Sequence, residues 1–186
     1  MADARKGTHI ALLRAVNLGG LNQVAMADLR SLCAKLGFAD AASLLASGNL
    51  VFRTSLKPCS EIEKMLEAEA ERKLRLKTDF FVRTAQEWHQ LIRSNPFPRE
   101  AEHDPAYLVA MLLKDEADAS DVKKLQAAIE GREVVRAKGR VAYVTFPDGQ
   151  GRSKLTRAII EKGLGTRTTG RNWNTVLKLA AMVGEE

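Results

Sequence analysis

The sequence predicts an α+β fold of two ferredoxin-like β-α-β-β-α-β repeats, each followed by an extra helix, with mostly antiparallel sheets. Three observations predict it. The order strand, helix, hairpin, helix, strand, helix occurs twice along 186 residues. The hydrophobic period switches between two and 3.6 at turn residues. The chain's two tryptophans, Trp88 and Trp173, stand in similar surroundings, Thr-Ala-Gln-Glu-Trp and Thr-Gly-Arg-Asn-Trp, 85 residues apart. The first repeat with its trailing helix is expected over residues 1–98. The second is expected over 99–186, joined through the Pro- and acid-rich stretch 96–105.

The elements follow in order. Residues 9–16, His-Ile-Ala-Leu-Leu-Arg-Ala-Val, form an apolar run that predicts a first strand. Residues 26–37 carry the stripe Leu29, Leu32, Cys33, Leu36 and end at Gly37, which predicts an amphipathic helix with a left-handed glycine cap. Residues 43–47 and 50–54 flank Gly48-Asn49, a hairpin signal. Ser60 and Glu63 match a capping box opening a helix that runs to about Leu74. A strand over 77–83 and a helix over 84–95 follow, the helix stopping before Pro96 and Pro98.

In the second repeat, 106–114 is a strand and 120–131 a helix closed by Gly131. Residues 134–137 and 140–146 form a hairpin across Lys138-Gly139. Residues 153–163 form a helix capped by Ser153. Thr166–Thr168 is a short strand, and a last helix runs from about Gly170 to Val183. Both tryptophans sit about one turn into an amphipathic helix, so both are read as core packing.

Composition bounds the function. Apolar residues make up 45% of the chain, enough for a sizeable core. No apolar run reaches the length of a membrane span, and the N-terminus lacks a signal-peptide pattern. Two cysteines make no disulfide framework; Cys33 reads as a core thiol and Cys59 as a partly exposed one. A cytoplasmic location is expected. The formal charge is +6, and the window Gly151–Lys178 carries all of it, with seven basic residues and only Glu161 as an acid. Charge confined in this way concentrates anionic partners.

Comparison of the repeats at the spacing of the tryptophans sharpens that expectation. Thr84 and Glu87 form a capping box in the first copy. At that spacing Asn172 replaces Glu87 and Arg171 replaces Gln86, leaving a helix start that offers N–H groups to an outside anion. Asn174 and Thr175 add donors. The Gly-rich loop Gly149-Gln-Gly151-Arg152-Ser153-Lys154 can cradle a phosphate in the same way. Arg14, Asn17 and Asn22 lie at and after the end of the first strand, and Asn49 at a hairpin tip, where turn chemistry suffices to explain it.

Other motifs carry less. Residues 139–146, with Tyr143, echo an RNA-recognition strand, but one further tyrosine, Tyr107, is too little for an open stacking face; strand packing is the preferred reading. His9, His89 and His103 have no metal-ligand spacing, so no metal and no cofactor are implied. No nucleophile-elbow motif and no P-loop spacing are present.

Several motifs, taken together and in this order, resemble a bacterial family, domain of unknown function 1697. They are Ala11-Leu-Leu-Arg14-Ala-Val-Asn17-Leu-Gly19-Gly20-Leu-Asn22, Ser47-Gly48-Asn49, Asn95-Pro96-Phe97-Pro98, Pro147-Asp148-Gly149-Gln150-Gly151-Arg152-Ser153-Lys154-Leu155 and Arg171-Asn172-Trp173-Asn174-Thr175-Val176. The family usually has Gly where this chain has Ala15. The resemblance implies an α+β fold with ferredoxin-like halves and supplies no activity.

The expected function is binding of a phosphate-bearing ligand, a small molecule or nucleic acid, with no membrane partner. The expected site comprises Arg14, Asn17, Asn22, Asn49, Arg152, Ser153, Lys154, Arg171, Asn172, Asn174 and Thr175, with Arg152, Lys154, Arg171 and Asn174 within one ligand's reach. The alternatives are an enzyme acting on a small phosphorylated or carboxylated metabolite, in which an unidentified acid or base does the chemistry, and a protein-interaction module. The sequence gives no oligomeric state.

Overall fold

The computed structural model describes residues 6–17, 23–55 and 58–184. The first repeat comprises β1 (Lys6–Leu13), α1 (Met26–Lys35), β2 (Ala39–Ser43), β3 (Asn49–Ser55), α2 (Cys59–Leu74) and β4 (Phe80–Thr84), trailed by α3 (Ala85–Arg93). A short helix, α4 (Pro98–His103), precedes the second repeat. That repeat comprises β5 (Leu108–Leu113), α5 (Ala119–Ala128), β6 (Val134–Lys138), β7 (Val141–Thr145), α6 (Arg157–Leu164) and β8 (Thr168–Asn172), trailed by α7 (Trp173–Val183). The sheet orders are β2-β3-β1-β4 and β6-β7-β5-β8, all pairs antiparallel. In both, the first and third strands are central, which is the ferredoxin-like arrangement. The chain divides into two compact units, Met1–Gln90 with Leu179–Glu186, and Leu91–Lys178.

In the first unit, Ala11, Leu13, Leu50, Phe52, Phe80 and Val82 meet Leu29, Leu32 and Cys33 of α1 and Ile62, Leu66 and Ala70 of α2. The alternation along the strands and the i, i+4, i+8 stripe on α2 put these side chains on facing surfaces. In the second unit, Val109, Met111, Val135, Ala142 and Val144 meet Leu125 of α5 and Ile160 and Leu164 of α6. Gly163 lets α6 approach closely: a Cβ there would come within 2.8 Å of Leu125 Cδ1. Trp88 and Trp173 are both buried, as packing residues should be.

Five local expectations are corrected. Ser60 and Glu63 form no capping box, because α2 opens at Cys59 after Pro58 and Glu63 instead accepts the Val82 N–H at 2.8 Å. The strand expected over 43–47 ends at Ser43; Leu44 N–H donates to Asn49 O, and Asn49 Nδ2 donates to Leu44 O at 2.7 Å, so these residues form the turn. Ser153 does not cap α6. It ends a 3-10 turn (Gln150–Arg152), its Oγ accepts from Leu155 N–H, and Thr156 is the cap. The final helix starts at Trp173, leaving Gly170, Arg171 and Asn172 in β8.

The fifth correction concerns the alignment of the repeats. Phe80 pairs with Leu13 and Arg83 with Ile10; Thr168 pairs with Leu113 and Arg171 with Ala110. The structural offset is therefore 88, not 85. Trp88 corresponds to Val176, Arg83 to Arg171, and Thr84 to Asn172. The tryptophans lie about one helical turn apart along their helices, a spacing that keeps them on one helix face and imitates a repeat in sequence.

Candidate functional site

The second unit holds a cavity of about 530 Å³ between α5, α6 and the loops before β6 and after β7. Its apolar floor is Leu125, Ala128, Ile129, Leu155 and Ile159. Its rim carries Glu130, Arg132, Glu133, Asp148, Arg152, Ser153 and Lys154. The Gly-rich loop singled out in the sequence therefore does line a cavity, through Arg152, Ser153 and Lys154. Sequence reasoning missed the other wall, residues 128–133. Their mixed charge and single glycine resemble any helix-to-strand connection.

The rim's charges are paired in a definite way. Arg132 grips Asp148 through two nitrogens, with Nε to Oδ2 at 3.0 Å. That guanidinium, with a smaller contribution from Arg152, holds the Asp148 carboxyl below the usual carboxylate range, and Asp148 in turn raises Arg132. Ser153 Oγ donates to Glu133. Lys154 Nζ lies 3.6 Å from Glu130, both almost fully exposed, so that pair contributes little. Arg152 is different. Among the described residues its side chain makes no hydrogen bond or ion pair, and it is exposed at the cavity mouth.

The cavity lining does not include Arg171, Asn172, Asn174 or Thr175. Arg171 is on β8, an edge strand of its sheet, whereas Arg152 and Lys154 lie in the connection between β7 and α6. The expected common site of Arg152 and Lys154 with Arg171 and Asn174 is therefore not this cavity. The helix start is not vacant either. Asn172 Oδ1 accepts the Thr175 N–H at 3.0 Å and the Thr175 hydroxyl at 3.0 Å, making Asn172 the cap of α7. It corresponds to Thr84, which caps α3 through Glu87 N–H at 3.1 Å while Glu87 accepts the Thr84 N–H at 2.8 Å. The supposed exchange of Glu87 for Asn172 came from the three-residue misalignment. Asn174 is exposed and Thr175 buried.

The first-unit candidates are structural in their contacts. Asn17 Nδ2 donates to Val24 O at 3.0 Å and Ala46 O at 2.7 Å, while its Oδ1 accepts the Val24 N–H at 2.8 Å. Asn17 also borders a smaller recess of about 360 Å³ with Gln23, Asp28 and Leu74. Asn49 is fully buried in its turn. Arg14 Nη1 lies 3.9 Å from Asp79. Asn22 lies outside the described residues.

Other chemistry finds little support. Tyr143 is buried, its hydroxyl donates to Leu91 O at 2.7 Å, and burial pushes its pKa up to about 12, so it offers no stacking face to a base. Burial likewise pushes the Cys33 thiol up to about 12. Among the described residues no group of three or more His, Cys, Asp or Glu is placed to hold a metal, and no helix is long and apolar enough to cross a membrane.

Among solved structures, the chain is similar to that of the conserved bacterial protein SP0830 from Streptococcus pneumoniae. The TM-score is 0.75 at 20% identity, over 96% of this chain and 99% of that one, a likeness of fold. No curated protein matches the chain. The family described as protein of unknown function (DUF1697) matches residues 7–143, from the first strand into β7. With most of the chain matched, and both sheets in the arrangement the motifs implied, the protein belongs to the DUF1697 family.

Proposed function

We propose that the second unit binds a small phosphate-bearing ligand with an apolar body, of nucleotide size, in the cavity bordered by the Gly149–Lys154 loop. The carrying observation is Arg152: an exposed guanidinium with no side-chain hydrogen bond or ion pair among the described residues, at the mouth of a cavity with an apolar floor. The floor takes the apolar body, and Arg152 takes the phosphate as a forked donor. Lys154, weakly held by Glu130, swings to a phosphate at little cost. The rim's three acids, Glu130, Glu133 and Asp148, balance its three bases, Arg132, Arg152 and Lys154, which favours a compact ligand over a polyanionic strand.

The test is calorimetric titration with a nucleoside monophosphate, the matching nucleoside, inorganic phosphate and a short RNA. The monophosphate is expected to bind most tightly. Arg152→Ala should weaken it about tenfold or more, the loss of one charge-assisted hydrogen bond. An Arg152→Ala protein that binds as well as a Lys64→Ala control would sink the proposal, as would preference for RNA over the mononucleotide.

A further inference from the structure

The cavity of the second unit carries a second guanidinium, and an acid of the protein itself occupies it. Arg132, in the connection from α5 to β6, grips Asp148, in the connection from β7 to α6, with Nε to Oδ2 at 3.0 Å and Nη2 to Oδ1. Both line the cavity together with Arg152. Arg152 follows Asp148 by four residues, round the 3-10 turn Gln150–Arg152, and its N–H donates to Gly149 O at 3.2 Å. The Asp148 carboxyl responds to both cations: Arg132 holds it low, and Arg152 adds to the effect. One carboxylate thus rests on one arginine and lies within the field of another.

That contact is easily exchanged. The Arg132 and Asp148 side chains are 67% and 60% exposed, so water competes for both and the pair contributes little to the fold. Glu133 is engaged by Ser153 and Glu130 faces Lys154, so Asp148 is the acid that an incoming anion would have to move. What an anion gains there depends on its oxygens. A carboxylate offers a guanidinium a single edge of two oxygens, and so does a phosphodiester. A phosphate monoester has three terminal oxygens, so two forked guanidiniums can each take an edge and share one oxygen. It also carries about −1.5 to −2 charges at neutral pH.

We propose that Arg132 and Arg152 together clamp the terminal phosphate of a monoester, with Asp148 as the internal anion that the phosphate displaces from Arg132. The inference rests on the reading of this cavity as a phosphate site and names the class of ligand, phosphate monoesters in preference to diesters and carboxylates. Asp148 sets the threshold. A singly charged anion with one oxygen edge gains nothing by replacing one carboxylate with its equal on Arg132. A monoester brings more charge and a second edge, and it brings them while its first edge is already on Arg152.

The test is calorimetric titration of the full chain with adenosine monophosphate and with its methyl phosphodiester, which keeps the body of the ligand and blocks one terminal oxygen. The monoester should bind about tenfold more tightly, the worth of one further charge-assisted contact. Arg132→Gln should remove most of that preference. Asp148→Asn should tighten the monoester a few-fold, because Arg132 then stands ready without a competing charge. The comparison of the two esters on the wild-type chain is independent of any variant's folding, and thermal melts check the variants. Equal wild-type affinities for the two esters, or an Asp148→Asn protein that is folded and binds the monoester more weakly, would overturn the clamp while leaving Arg152 as a phosphate ligand. Binding of neither ester would overturn the reading of the cavity and the clamp with it.

Discussion

Arg83 and Arg171 occupy the same place in their two sheets. Each stands next to last in its fourth strand, and each donates an Nη1 hydrogen bond at 2.8 Å to the carbonyl of the residue before it. The guanidinium bends round the sheet edge to reach a carbonyl that no strand covers. Such a buried cation needs fixed partners, and the first unit supplies a carboxylate from α2.

Glu63→Ala should therefore destabilise the first unit by about 3 kcal/mol, because it takes a carboxylate from both the Val82 N–H and the Arg83 guanidinium. Glu63→Gln should cost less, since it keeps an acceptor for the amide. Urea unfolding of both variants checks the order; equal midpoints would show that the ion pair contributes nothing beyond the amide bond.

Asn17→Ala should lower stability by about 2–3 kcal/mol and leave nucleotide affinity in the folded protein unchanged. Three hydrogen bonds from Asn17 tie residue 24 and residue 46 to the end of β1, and φ of 54° suits asparagine better than alanine. Combined denaturation and titration separates the two effects. A folded variant with weakened binding would return Asn17 to the ligand site.

Ala15→Gly and Gly48→Ala should move stability in opposite directions. Ala15 has φ of 52°, left-handed backbone that glycine adopts without a Cβ penalty, so glycine should stabilise by about 0.5–1 kcal/mol. Gly48 has φ of 74°, and a Cβ there would come within 2.7 Å of Val16 Cγ2 and 2.8 Å of Leu13 Cβ. Its replacement should cost about 3 kcal/mol from strain and overpacking together. Thermal melts decide both signs.

His9 should make the fold sensitive to mild acid. It is buried, stacked on Phe52 at 5.9 Å, with Nδ1 against Gly7 O at 3.0 Å and, among the described residues, no hydrogen-bond partner for Nε2. Burial lowers its pKa, against smaller opposing effects of the Gly7 carbonyl and Glu87. Below the unfolded value of about 6.5 the unfolded chain binds the proton first, so stability falls as pH drops from there toward the folded value. Above about 7 this contribution is constant. Melting temperatures of wild type and His9→Phe across pH 5–8 should diverge in slope only below about pH 6.5.

The order of elements was legible in the sequence because each follows from a local pattern: the alternating strands, the α2 stripe Ile62, Leu66, Ala70, and the turn glycines. The Gly149–Lys154 loop, three of whose residues line the cavity, stood out for the same reason, since glycines beside cations are a local signal. Tertiary structure decided what each polar group does. Glu63 caps a helix in sequence pattern and caps a strand in the fold, because the amide of an edge strand one layer away competes for it. Asn172 matched Glu87 by spacing and matches Thr84 by register, because hydrogen-bond ladders, unlike sequence alignments, cannot slip by three residues without losing their pairs. The basic window of 28 residues carries the whole net charge, yet of its cations only Arg152 and Lys154 line the cavity, while Arg171 stands on the edge strand β8. Charge follows the chain, whereas proximity follows the sheet.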